Sequence, residues 1–79
     1  MQKNQRVFKL VMDISLRSED FGGLAFVPIT GEVIQLNHTA YKLLKDIIDR
    51  KELMVNSKDL IFWQKLEIRG VVKEVKPDD

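Results

Sequence analysis

The sequence predicts a small α+β domain, a three-stranded antiparallel β-meander followed by a small helical part. Three observations carry that expectation. The chain opens on a stretch that alternates apolar and polar residues, two short apolar runs follow behind glycine- and proline-bearing turns, and the period then changes to that of a helix. Sequential strands with tight links pair as antiparallel neighbours, so the three runs make one sheet.

In the first strand, residues 7–17, Phe8, Leu10, Met12, Ile14 and Leu16 fall on one side. Lys9, Asp13, Ser15 and Arg17 share the other side with Val7 and Val11. Period two over this length is the pattern of a half-buried strand. Residues 18–23 supply turn chemistry, with two glycines free to take positive φ. Residues 24–27 form the second strand, Pro28-Ile29-Thr30-Gly31 a short hairpin turn, and Glu32–Leu36 the third strand.

The period changes at Leu36. Leu36, Ala40, Leu43, Leu44, Ile47 and Ile48 repeat as one face of a helix, with Asn37 ahead of them as N-cap. Lys42, Lys45 and Asp46 lie on the wet face. Residues 49–56 read as an irregular connection or a single short turn. A last helix begins at Asn56 or Ser57, where Asn56 and Asp59 resemble a capping box, and stops near Gly70. Residues 71–75 form a short extended tail.

Composition narrows the class of function. The 79 residues make one domain, and 44% apolar content with a net charge of +1 argues against disorder. Residues 1–5 and 76–79 are expected to be flexible ends. The same near-neutral charge argues against a surface built for nucleic-acid backbone or anionic lipid. With no cysteine there is no disulfide, thiolate catalysis or cysteine-based metal site. No apolar run approaches the length of a membrane span, and the polar start is not a signal peptide, so a cytoplasmic location is expected.

A catalytic reading has little support. His38 is the sole histidine and has neither a nucleophile motif nor metal-ligand spacing beside it. Gly22-Gly23 lacks phosphate-loop spacing and precedes a strand. The expectation is therefore a binding module without cofactor or metal. Two elements suit binding. The third strand, Glu32–Leu36, is a sheet edge with one charge and no proline, open to an added strand. The last helix is apolar around much of its circumference. Either it lies wholly in the core, or Phe62, Trp63 and Leu66 face the core while Ile61, Gln64, Lys65 and Ile68 border a groove.

Three segments, residues 21–26, Gly31-Glu32-Val33-Ile34-Gln35-Leu36-Asn37-His38-Thr39-Ala40, and Leu43-Leu44 with Ile47-Ile48-Asp49, resemble the PqqD-like family. The run from Phe62 to Val72 is similar to that family's last helix, and together these cover most of residues 16–72. Members are recognition elements that bind the leader segments of ribosomally made, modified peptides. The resemblance implies a sheet packed on a winged helix-turn-helix bundle, with the leader added as a strand on the third strand, beside the third helix. Carried onto this chain, the receiving strand is Glu32, Val33, Ile34, Gln35 and Leu36. The cleft helix holds Leu60, Ile61, Gln64, Lys65 and Ile68, with Lys58, Lys65 and Arg69 placed to pair with leader carboxylates. The region before Asn56 is too short for the family's full second helix, so a shortened one is expected. The implied role is a stand-alone element that presents a precursor peptide to a separate modifying enzyme, such as a radical-SAM maturase or leader protease. Two other classes remain open: a winged-helix DNA-binding regulator, with residues 56–69 as recognition helix, and a structural homodimerisation domain.

Overall fold

The alternating stretch that opens the chain is divided between two sheets. In the computed structural model, which describes residues 6–75, β1 (Arg6–Leu10) ends before Val11 and β2 (Ser15–Glu19) begins four residues later in a different sheet. The expected single strand over residues 7–17 is thus corrected to two. Its sidedness survives the break. Phe8 is buried and Leu10, Met12, Ile14 and Leu16 are half-buried, whereas Lys9, Val11, Asp13, Ser15 and Arg17 are exposed; Val7, expected with the latter, is half-buried. Alternation reports which side of the chain meets the core and says nothing of which strands it pairs with.

The meander is β2, β3 (Gly22–Val27) and β4 (Glu32–Leu36), in that order and antiparallel. Glu19 pairs with Gly22, so the first turn is only Asp20 and Phe21, shorter than the six residues expected. Gly22 sits at φ +141°, and a Cβ there would lie 2.3 Å from the Leu36 carbonyl oxygen, so this close approach of β3 to β4 requires glycine. The second turn holds its expected place at residues 28–31. The Thr30 and Gly31 N–H groups both donate to the Val27 carbonyl, at 3.2 and 2.8 Å.

Next comes α1 (His38–Arg50), capped as expected: the Asn37 side chain accepts from the Ala40 N–H at 2.8 Å. Leu44 and Ile47 are fully buried beneath it. It ends on Lys51 at φ +75°, whose N–H donates to the Ile47 carbonyl at 2.7 Å. This left-handed residue turns the chain directly into β5 (Glu52–Val55). The region read as irregular is therefore a strand, with Leu53 and Val55 half-buried and Glu52 and Met54 exposed. That strand occupies the place of the shortened second helix, and the last helix, expected from Asn56 or Ser57, opens instead on a 3₁₀ turn (Ser57–Asp59) to which Asn56 makes no side-chain cap bond.

The second helix, α2 (Leu60–Ile68), ends as its glycine predicts. Gly70 takes φ +83°, its N–H donates to the Glu67 carbonyl and the Val71 N–H to the Leu66 carbonyl, each at 3.0 Å. This is a Schellman closure with its apolar contact, since Leu66 and Val71 are both buried. The extended tail becomes β6 (Val72–Val75). β5 and β6 flank β1 in a second antiparallel sheet, with Leu53 and Glu74 both opposite Phe8. Arg6 grips Glu74 through two donors, Nε at 2.5 Å and Nη2 at 3.0 Å, and this carboxylate raises the guanidinium pKa above its already high ordinary value.

One core joins the two sheets. Phe8 and Val72 come from one sheet, Ala25, Val27 and Leu36 from the other, and Leu44, Ile47, Trp63 and Leu66 from the helices. α1 packs on β3 and β5 together. Trp63 stacks on Phe8 (6.0 Å between ring centroids, 21° between planes) and meets the edge of Phe62 (5.2 Å, 71°). Its Nε1 finds no hydrogen-bond partner among the described residues, a cost the burial of the rest of the indole offsets. The expectations for residues 1–5 and 76–79 concern positions outside the described residues.

Candidate binding cleft

The order β2-β3-β4 leaves β4 with one unpaired edge. Across from it lies α2, and between them is a cleft of about 250 Å³. Ile34, Gln35 and Leu36 form one wall, Phe62, Lys65, Leu66 and Arg69 the other, and Asn37 and Ala40 close the end at the start of α1. The two walls arise from different periods. On β4, Ile34 and Leu36 turn inward by strand alternation. On α2, Phe62, Lys65, Leu66 and Arg69 share a flank through three- and four-residue spacing. The floor is apolar: Leu36 and Leu66 are buried, and Ile34, Ala40 and Phe62 are half-buried. Gln35, Lys65 and Arg69 are exposed and form the rim.

At the far end, Arg69 Nη1 donates to Glu32 Oε2 at 2.5 Å. The pair joins the residue that follows α2 to the first residue of β4, beside the cleft that Arg69 lines. Lys65 and Lys58 make no ion pair with any described residue. The cleft therefore keeps a surplus of positive charge.

The structure gathers Ile34, Gln35, Leu36, Lys65 and Arg69 around this space, with Glu32 tied to its end. Lys58 is placed next door, in a depression of about 170 Å³ with Thr39, Leu43 and Asp59. That depression shares Asn37, Ala40 and Phe62 with the cleft, so the groove continues past the strand edge along the start of α1. Val33, Ile61 and Ile68 are exposed by 61%, 69% and 86%, and together with Gln64 they lie outside the lining. Val33 points from the outer face of the meander, where it pairs with the exposed Phe26. Leu60 packs against the core and lines no part of the cleft.

Sequence reasoning missed Asn37, Ala40, Phe62 and Leu66 as lining residues. By sequence Asn37 is a helix cap and Ala40 part of the apolar face of α1, and their place at the end of the cleft follows from how β4 runs straight into α1. Phe62 and Leu66 had been assigned to the core stripe, and both serve core and cleft. The helical period holds the signal: Phe62, Leu66 and Arg69 lie on one flank with Lys65, nearer to it than Ile61 or Ile68.

A second cavity, also about 250 Å³, lies where the chain crosses between sheets, lined by Leu10, Val11, Met12, Asp13 and Lys51. Among the described residues no three His, Asp or Glu side chains converge on a point that would hold a metal ion. No helix among them is long and apolar enough to cross a membrane. Comparison of the chain with protein-family models, curated proteins and solved structures gives no match.

Proposed function

We propose that this chain is a peptide-recognition module of the PqqD-like kind, which takes the leader segment of a ribosomal precursor as a fourth strand on β4. In this role it presents the peptide to a separate modifying enzyme, such as a radical-SAM maturase or a leader protease. One observation carries the reading: the unpaired edge of β4 faces an apolar-floored cleft whose other wall is α2. An extended peptide in that space gains main-chain hydrogen bonds from β4. Its alternate side chains reach Ile34, Leu36, Phe62 and Leu66. Lys65 and Arg69 on the rim favour peptides with carboxylates, and pairs of this exposed kind contribute roughly 0–1 kcal/mol each, acting more on orientation and on-rate than on affinity.

Labelled synthetic leader peptides, taken from short open reading frames beside this gene, are titrated and read by fluorescence polarisation. Saturable binding that survives high salt and fails across a proline scan of one central segment is the expected result, because each proline removes a ladder donor. Binding that tolerates proline throughout that segment would rule out strand addition. A second reading, self-association, draws on the exposure of Ile61 and Ile68. It predicts a concentration-dependent mass in light scattering with no peptide present. Salt-sensitive binding to random duplex DNA would instead favour the regulator class.

A further inference from the structure

Resting on the reading of the cleft as a peptide slot, we propose that Glu32 stands in for a ligand carboxylate. It holds Arg69 beside the cleft until an acidic residue of the incoming peptide replaces it. The contrast between two ion pairs suggests this. Arg6 binds Glu74 through both Nε and Nη2, inside the second sheet, with the carboxylate only 18% exposed. Arg69 binds Glu32 through Nη1 alone, with the two side chains 43% and 39% exposed. The first pair is built to stay closed. The second leaves most of the guanidinium fork unused, in water, beside the space a ligand would enter, and a bidentate carboxylate can outcompete a single contact.

Position adds to the case. Arg69 follows the last turn of α2, lines the cleft and pairs with the first residue of β4, the strand that supplies the opposite wall. A strand laid along the whole of β4 meets that ion pair at the strand's first residue. Lys65, one helical turn earlier in the same lining, has no ion-pair partner among the described residues, so a second anionic group is also accommodated. Glu32 thus disfavours neutral strands, for which opening the bridge has no compensation, and favours peptides that carry their own carboxylate to Arg69.

The absence of cysteine makes a direct test simple. Ile34→Cys places one thiol on the half-buried cleft wall, and its rate of modification by a bulky fluorescent maleimide is measured, with Gln35→Cys on the exposed rim as control. Adding Glu32→Gln or Arg69→Gln is expected to raise the rate at position 34 roughly two- to fivefold, the factor an exposed ion pair supplies, and to leave position 35 unchanged. Unchanged rates at position 34 in both variants, with native circular dichroism, would overturn the latch.

The second arm uses labelled decapeptides of alternating valine and threonine carrying aspartate, asparagine or lysine at one end. Glu32→Gln is expected to tighten binding of the aspartate peptide, and Arg69→Gln to reduce it to the level of the asparagine peptide. If both substitutions weaken the aspartate peptide alike, Glu32 supports the site and does not compete for it, and the proposal fails. If labelling rates respond as expected while none of the three peptides binds, the latch stands and the peptide-slot reading falls.

Discussion

The sheet formed by β2, β3 and β4 is built from one uninterrupted stretch, residues 15–36, whereas β5, β1 and β6 are drawn from residues 52–55, 6–10 and 72–75. Every pairing in the first closes a loop of a few residues. Each pairing in the second closes a loop of more than forty, with α1 or the whole helical part inside it. Local pairing is entropically cheap and forms early; distant pairing must wait for other contacts to hold the ends together. The β4 cleft has one wall in the local sheet, and its other wall, α2, is anchored on the distant sheet through Trp63 on Phe8 and through β6. The site therefore exists only when both kinds of assembly are complete.

Phe8→Ala strikes the distant sheet hardest. Phe8 is fully buried at the centre of the distant sheet, and truncating it is expected to cost roughly 3–5 kcal/mol, read from urea unfolding. Amide hydrogen exchange in the same variant should show β1, β5 and β6 losing protection before β2 to β4. Equal loss in both sheets would mean that they open as one unit. Gly22→Ala strikes the local sheet instead. Its Cβ would press on the Leu36 carbonyl from a backbone at φ +141°, for an expected loss of roughly 2–3 kcal/mol by the same titration. The smallest effect is expected at the junction. Lys51 holds a left-handed conformation between α1 and β5, so Lys51→Gly should raise the unfolding free energy by about 0.5–1 kcal/mol, and a loss there would show that the lysine side chain contributes packing that glycine cannot supply.

Legibility in the sequence followed the same division. The hairpin turn at residues 28–31, the strand Glu32–Leu36, the Asn37 cap and the Gly70 stop are set by residues within a few positions of one another, and all four stand where they were expected. The break after Leu10 left no mark, because the alternation runs on through Met12, Ile14 and Leu16 while the strands that pair with β1 come from far along the chain. β5 was hidden for a related reason: four residues of alternation, Glu52 to Val55, are too few to be told from a loop without a partner strand in view. Around the cleft, the edge strand Glu32–Leu36 and the groove-bordering Lys65 were legible from strand pattern and helical period, whereas Arg69 entered only through the family resemblance. Leu60 was not separable from them, since an apolar helix does not reveal which flank meets the core when both flanks are apolar.

Trp63 is the one tryptophan of the chain, and its burial has an optical consequence. An indole sealed from water and lacking a hydrogen-bond partner emits toward the blue, and its emission reddens when the fold opens. Phe62 rests its ring against that indole and also lines the cleft, so the chromophore is one side chain removed from the space where a ligand would lie. A guest that shifted Phe62 would alter the colour or yield of light from the core, a dye-free readout of the proposed occupancy.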